Sequence, residues 1–529
     1  MAEERTPVLV VGGSMVGLSA ALFLSHQGFP PLVVERHRTV SVQPRAQAAS
    51  PRTMEILRAL QLEADVRAAE TPNAQYGNIM QVESLAGPEL GWFDGPFPAD
   101  PQGVSATGWT LIGQDRLEPV IKRRAEELGA DIRFGTEMVS YTQDEEGVTA
   151  RIRSVETGEE HDVRADYLFA ADGNRSPIRE GLGIKAEGPG AFGRQLIMIF
   201  HADLTALVAG REFFLCFVKN ADVHGVLGQL DPHTHRWCLA VSLLPDESAA
   251  DYTDDRCLAL IRAAVGVPDL DVEVESGQDW EIAAKVAERF RHERVFLAGD
   301  AAHVMPPTGG FGGNMGIQDA HNLAWKLALV LRGLARPSLL DSYEPERLPV
   351  AEFTVEQGVI RYLQRNGLDE EIAARHRPEP TVLFGQRYRS VAVLADPDGD
   401  DDGAVFEDPH QATGRPGTRA PHFMIDRPGG SPVPLHDLIA HDFVLLASDA
   451  TDDGRAWLAA APPLAARSGI GVLAQPAGPG FTTSYGVGEG GAVLVRPDGF
   501  IAWRSRGRAA DPAAVLADAL SRAAHSRAV

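Results

Sequence analysis

The sequence has little cysteine and little lysine. Its three cysteines, Cys216, Cys238 and Cys257, form no C-x-x-C pair, and none follows Cys257 in a chain of 529 residues. That excludes a disulfide framework and a clustered-thiolate zinc site, and it points to a reduced, cytoplasmic setting. Only five of the 49 basic residues are lysine, which reads as base composition rather than mechanism. Basic charge is scarce as a whole: 49 basic residues face 73 acidic ones, a net charge of −24. Such a surface disfavours nucleic acid and membranes as partners and serves solubility. Long apolar runs are rare too. Residues 8–24 carry no charge, but glycines interrupt them and Glu3–Glu4 precede them, so neither a membrane span nor a signal segment is expected.

What is present is an ordinary globular composition, 44% apolar and 23% charged, at a length that suggests more than one domain. PVLVVGG predicts a short buried strand, SAALFLSHQG a helix ending at Gly28, and PPLVVE a second strand ending at Glu35. This βαβ unit carries the dinucleotide fingerprint G-x-G-x-x-G with one departure. Gly12 makes the tight turn, Gly17 lets the helix pack on the strand, and Ser14 replaces the middle glycine. Serine is the smallest replacement that carries a side chain, its hydroxyl can donate to phosphate, and Gly13 beside it supplies backbone freedom. Met15 and Val16 open the helix, where amides and dipole favour an anion. Glu35, 18 residues after Gly17 and followed by Arg36, stands where an acid accepts ribose hydroxyls. This unit alone leaves NAD and FAD open.

Further on, PRTMEILRAL and RLEPVIKRRAEELG predict helices, and DIRFGTEMVSYTQDEEGVTARIRS predicts antiparallel strands. DYLFAADG is a buried strand running into a turn at Asp172-Gly173. Residues 185–290 predict mostly strands. VFLAGDAAH is a strand turning at Gly299-Asp300; a glycine-rich loop follows, and GIQDAHNLAWKLALVLRG predicts a long buried helix. Pro306-Pro307 fixes a rigid corner, and Gly309, Gly310, Gly312 and Gly313 let the backbone lie close to a flat ring. Residues 396–410 are acidic and turn-rich, a linker. From 411 to 529, FVLLAS, GIGVLAQ and AVLVRPDGFIAWR are strands between helices, a separate small domain.

The three motifs resemble the group A flavoprotein monooxygenases, aromatic hydroxylases of the p-hydroxybenzoate hydroxylase fold, over residues 6–395. The resemblance implies a fold of mixed α/β and α+β class: a Rossmann-like FAD-binding domain of the glutathione-reductase type (1–75, 111–184 and 286–395) interleaved with a β-sheet substrate domain (76–110 and 185–285). PRTMEILR, GWTLIGQDRLEP, WEIAAKVAERF and FGQRYRSVAVL are similar to the anthracycline-type aromatic polyketide hydroxylases. The last domain is similar to the thioredoxin-like tail of polyketide and phenol hydroxylases. Thioredoxin chemistry needs two nearby cysteines, so here the tail is structural or a contact surface.

By the same resemblance FAD is the cofactor, NADPH or NADH the transient reductant, and O2 the oxidant, acting through a flavin C4a-hydroperoxide. The nicotinamide nucleotide needs no Rossmann domain of its own, and no second strand–G-x-G-x-x-G–helix unit occurs; GVGEGG at 486–491 is not placed like one. Gly12, Ser14, Met15, Val16, Gly17, Glu35, Arg36, Arg45, Gln114, Asp172, Gly299, Asp300, Pro307, Gly310, Gly312, Gly313 and Asn314 are the implied FAD contacts. Arg45, Pro307, Arg387 and Tyr388 are the implied catalytic or near-site residues, Arg45 having a structural salt bridge as its alternative. Asp172 has both a cofactor and a structural reading, and His303 is expected to be structural. Phe213, Phe214, Phe217, Trp237 and Trp280 are candidate walls of a pocket for a small aromatic substrate, no one of them preferred. The implied activity is hydroxylation of a multi-ring aromatic polyketide or related phenol. The alternatives are Baeyer–Villiger oxygenation and a flavin-binding scaffold without turnover. A homo-oligomer is left open.

Overall fold

The computed structural model describes residues 4–41, 46–71, 77–92, 101, 103–244, 246–364, 370–397, 401–427, 429–478 and 480–527. The chain runs through β1 (Glu4–Val11), α1 (Met15–His26), β2 (Leu32–Glu35), α2 (Pro51–Ala59), β3 (Ile79–Val82), β4 (Glu89–Trp92) and α3 (Gln114–Glu127). Then come β5 (Asp131–Phe134), β6 (Thr136–Gln143), β7 (Val148–Ser154), β8 (Glu160–Ala170), β9 (Ala186–His201), β10 (Leu215–Lys219), β11 (His224–Asp231), β12 (Arg236–Ser242), α4 (Asp254–Val265) and β13 (Glu273–Ala287). Short strands β14 (Arg291–His292), β15 (Val295–Leu297) and β16 (His303–Val304) lead into two long helices, α5 (Phe311–Leu331) and α6 (Tyr343–Gln364). The last part holds β17 (Met424–Ile425), β18 (Val433–Pro434), β19 (Phe443–Ala447), α7 (Asp452–Ser468), β20 (Val472–Pro476), β21 (Ala492–Val495), β22 (Ile501–Ser505) and α8 (Pro512–Ala523).

The first sheet has the order β14-β15-β8-β1-β2-β5, with the antiparallel pair β6–β7 carried on β8. Val8, Leu9 and Val10 of β1 are wholly buried, as a central parallel strand covered on both faces requires. Helix α1 lies between α3 and α5. It is apolar nearly all round, so it carries no charged residue between Met15 and Ser25. One expectation changes here. β5 runs parallel to β2, from Leu32–Asp131 to Glu35–Phe134, and only β6 and β7 are antiparallel. The reason is α3, which precedes β5 and returns the chain to the same end of the sheet.

The second sheet, β16-β13-β9-β12-β11-β10-β3-β4, draws β3 and β4 from a distant part of the chain. One face is covered by α4, whose Cys257, Ile261, Ala264 and Val265 pack on Met198, Phe200, Val218, Trp237 and Leu239. The expectation of strands through 185–290 missed this helix. Its ends are nonetheless marked: Thr253 Oγ1 accepts the Arg256 N–H, and Gly266 ends the helix at φ +81°.

The last sheet, β20-β19-β21-β22, is covered by α7 and α8. Its core is continuous with the rest: Trp325 and Leu329 of α5 pack in one cluster with Phe443, Trp457, Leu464 and Leu520. The segment expected as a linker is tied down at both ends. Asp396 accepts from Arg504 and Arg506, and Phe406 stacks on Phe353 at 4.5 Å. Among the described residues no helix is long and apolar enough to cross a membrane.

Candidate active site

The site begins where β1 turns into α1. Gly12 has φ +108°, and a Cβ there would collide with the Ala171 carbonyl. A Cβ on Gly17 would collide with the Gly12 carbonyl, so the turn and the first helical turn can approach only as glycines. The Gly13 N–H donates to Glu35 Oε2 at 2.8 Å, and Glu35 Oε1 accepts from the His37 N–H. The carboxylate at the end of β2 is thereby fixed beside the turn, while Arg36 is exposed.

Ser14 is the N-cap of α1, yet its side chain does not cap the helix. The hydroxyl donates to Glu118 Oε1 at 2.7 Å and accepts from Gln114 Nε2 at 2.8 Å. Gln114 Nε2 also reaches Glu118 Oε1 at 2.7 Å, and Glu118 Oε2 takes the Ser41 N–H. Glu118 is fully buried, and burial pushes its carboxyl above the usual range. So the residue replacing the fingerprint glycine is the centre of a three-residue clamp. Glu118 was missed in the sequence, although it stands one helical turn after Gln114 in GQDRLEP.

A second helix N-terminus meets the first. Gly309 (φ +87°) and Gly310 (φ +64°) make the turn, with the Gly310 N–H on the Pro307 carbonyl, and Gly310 is the N-cap of α5. The helix starts at Phe311, earlier than expected, so Gly312 and Gly313 are its first-turn residues rather than loop. The reason is that neither needs positive φ. A Cβ at Gly313 would collide with the Met15 methyl, so the first turns of α1 and α5 touch there. The Asn314 side chain is fully engaged: Oδ1 accepts from the Ser50 N–H and Thr53 Oγ1, and Nδ2 donates to the carbonyls of Ala48 and Gly310.

Gly299 (φ +57°) lies against Val16, and its N–H donates to Asp319 Oδ2 at 3.0 Å. Asp300 and Pro307 are exposed at the mouth of this cradle. Asp172 lies beside the Gly12 turn, and its two oxygens take Ser176 Oγ and the Ile178 N–H at the start of a short helix; burial pushes its carboxyl up. His303 is buried, with Nε2 on Asp319 at 2.7 Å and its ring against Phe290, a structural placement. Arg387 pairs with Asp401 and Asp402, and Tyr388 accepts from Arg347 at its hydroxyl oxygen and stacks its ring on Phe500. The structure therefore does not bring these two to the cradle directly. Arg45 lies outside the described residues.

The substrate sheet adjoins the cradle. Next to Gln114, Asp115 and Arg116 pair with Arg236 (3.5 Å) and Asp231 (3.0 Å) of the sheet. Cross-strand register assigns Phe217, Cys238, Ile197 and Trp280 to the face turned away from α4, whereas Phe213 and Trp237 are in the α4-covered core. Above Gly310 stands Trp109, whose Nε1 donates to Glu379 Oε1 at 3.0 Å. Burial pushes the Glu379 carboxyl up and pulls Arg361 nearby down to about 10. Neither Glu379 nor Arg361 was legible in the sequence, because they come from α6 and the segment after it.

Two helix N-termini without side-chain caps, converging on a glycine-lined surface beside a ribose-type carboxylate, fit an extended dinucleotide with an anionic middle. The comparisons agree. Residues 5–358 match the FAD binding domain family, and residues 413–525 match the aromatic-ring hydroxylase C-terminal family. The chain is 45% identical to the 4-methyl-5-nitrocatechol 5-monooxygenase of a Burkholderia species, covering 98% of this chain and 97% of that one. It is 42% identical to the tetracenomycin A2 monooxygenase-dioxygenase of Streptomyces glaucescens, over 99% and 97%. A solved ternary complex of aklavinone-11 hydroxylase with FAD and aklavinone superposes with a TM-score of 0.89 at 40% identity, over 99% of both chains. The chain belongs to the FAD-dependent aromatic-ring hydroxylases.

Proposed function

We propose that this protein is an FAD- and NAD(P)H-dependent monooxygenase that hydroxylates an electron-rich phenolic ring, with a multi-ring aromatic polyketide as its substrate class. The observation that carries the reading is the placement of the glycine cradle directly beside the α4-free face of the substrate sheet, joined by Asp115–Arg236 and Arg116–Asp231. When bound, FAD supplies the redox chemistry, taking a hydride from the reduced nicotinamide and activating O2. Gly12, Ser14, Met15, Val16 and Gly17 hold its pyrophosphate, and Glu35, with Arg36 beside it, holds its ribose. Gln114, Asp300 and Gly299 line the ribityl side. Pro307, Gly310, Gly312, Gly313 and the Asn314 backbone border the ring. Arg45 completes the anion site by family resemblance. Phe217 and Trp280 wall the substrate and exclude water, which keeps activated oxygen from being lost as peroxide. Glu379, oriented by Trp109, accepts the proton of the substrate hydroxyl and so favours the more nucleophilic phenolate. Three unpaired cysteines suit a reduced cytoplasm.

The similarity to a nitrocatechol monooxygenase sets the alternative of a single-ring substrate. The test offers FAD-loaded protein anthracyclinone- and tetracenomycin-type polyketides on one side and substituted catechols on the other, with product structures solved by NMR. A new ring hydroxyl on the polyketides is the expected result. Turnover of catechols alone overturns the substrate class, and an inserted ester oxygen overturns hydroxylation.

A further inference from the structure

The thioredoxin-like domain has no cysteine to do chemistry with, yet it meets the FAD-binding domain through Arg419 on Glu55, Asp437 on Arg58, and the turn Arg496–Phe500 between β21 and β22. Gly499 takes φ +85°, and a Cβ there would press on the Arg52 guanidinium. This brings the Asp498 carbonyl within 2.6 Å of Arg52 Nη2, on the first turn of α2. The Asp498 carboxylate accepts from Asn322 and Trp325 of α5, each at 3.2 Å, and pairs with Arg496. Arg496 forks onto both oxygens of Glu346 at 2.6 and 2.8 Å, and Glu346 also takes Lys326 Nζ at 2.7 Å. All four charged side chains are essentially unexposed.

From this turn two chains of contacts lead to the cofactor cradle. In the first, Phe500 stacks on Tyr388 with centroids 3.9 Å apart. Tyr388 Oη accepts from Arg347 at 2.9 Å, Arg347 donates to Asp319 at 2.7 Å, and Asp319 accepts the Gly299 N–H at the Gly299-Asp300 turn. In the second, Arg52 holds α2, whose Ser50 N-cap and Thr53 grip Asn314 in the first turn of α5. We propose that the turn Arg496–Phe500 is a positioning element for the cofactor: the C-terminal domain is retained because it sets the Gly299-Asp300 turn and the α5 N-terminus from behind. Tyr388, Arg347 and Asp319 are the positioning residues that connect them. This inference rests on FAD occupying the cradle. It gives Tyr388 a role at one remove from the reacting atoms.

The experiment measures FAD affinity by reconstitution of apoprotein, the visible flavin spectrum and the flavin midpoint potential. The variants are Tyr388→Phe, Phe500→Leu and Asp498→Asn, with exposed Arg522→Ala as the control on the same domain. Tyr388→Phe removes one hydroxyl and keeps the stack. It is expected to weaken FAD binding about 3- to 30-fold and to shift the spectrum or potential, as changes along a coupled network do. Phe500→Leu acts in the same direction, and Arg522→Ala changes nothing. Folded Tyr388→Phe and Phe500→Leu proteins with wild-type FAD affinity, spectrum and potential would overturn the proposal, whatever their melting temperatures. Asp498→Asn removes a buried charge; if it does not fold, the other two variants decide. Wild-type protein that binds FAD but oxygenates nothing overturns the functional reading alone. Wild-type protein that takes no FAD overturns both.

Discussion

Individual glycines in the cradle differ in what a side chain would meet, and this separates their effects. At Gly17 the obstacle is the Gly12 backbone carbonyl, which cannot move without opening the β1–α1 turn. Gly17→Ala is therefore expected to yield protein without bound flavin, read by the absorbance of the purified sample. At Gly313 the obstacle is the flexible end of Met15, which can rotate away, so Gly313→Ala retains flavin. Ser14→Ala removes the hydroxyl that donates to buried Glu118. Leaving a buried carboxyl short of a donor costs about 1–3 kcal/mol, checked by urea unfolding. Burial raises the Glu379 carboxyl, so its neutral form persists above the ordinary carboxylate range. If it accepts the substrate proton, kcat/KM rises with pH through that raised value, and Glu379→Gln removes this acid limb. The glycines and Glu35 were legible in the sequence because their role depends on local backbone and fixed spacing. Glu118, Glu379 and Arg361 were not, since their meaning comes from partners on other elements. Family resemblance selected Asp172 and Tyr388, and the structure adds the partners that orient them, Ser176 and Arg347.

At the scale of elements, the central feature is the meeting of α1 and α5 at their N-terminal turns. The Asn314 side chain makes four hydrogen bonds: two to the segment before α2 (Ala48 and Ser50), one to Thr53 of α2, and one to the Gly310 carbonyl at the start of its own helix. Asn314→Ala leaves buried donors and acceptors unmatched and is expected to lower stability by about 2–4 kcal/mol, with FAD released at lower urea than in wild type. Hydrophobic periodicity read the parallel strands and the long helices well. It failed at α4, because strands dominate the surrounding stretch and the helix is marked only by its caps, Thr253 and Gly266. It also misjudged the direction of β5, which depends on the α3 crossover and not on the strand's own residues.

For the whole molecule, the buried charges at the junction of the C-terminal domain make the assembly one unit. Truncation after residue 410 would take Arg496 from Glu346, Arg419 from Glu55 and the Asp498 carbonyl from Arg52, and would uncover Trp325 and Leu329. The truncated chain is expected to be insoluble or to lose flavin, since unpairing a buried ion pair costs about 3–5 kcal/mol. Acid should act on the same junction. Burial, and then the Arg419 charge, hold His436 well below its ordinary value, so it is neutral in the fold while the unfolded chain binds a proton below about pH 6.5. A group whose folded pKa is lowered loses its contribution as pH falls, here by about 1.4 kcal/mol per pH unit below 6.5. Glu55 and Glu346, held low by their arginines against the cost of burial, add to the loss below the ordinary carboxylate range. Melting temperature measured from pH 7.5 to 5 is expected to fall, and His436→Gln to flatten that fall.

The cradle and the sheet together are proposed to place one oxygen atom from O2 on a phenolic ring. The direct measurement is turnover of FAD-loaded protein with NADPH and ¹⁸O2, counting label in the product against NADPH consumed. One ¹⁸O atom per NADPH is expected in the hydroxylated aromatic product, with little H2O2. NADPH oxidation that ends only in labelled peroxide across the whole polyketide and catechol panel would contradict it.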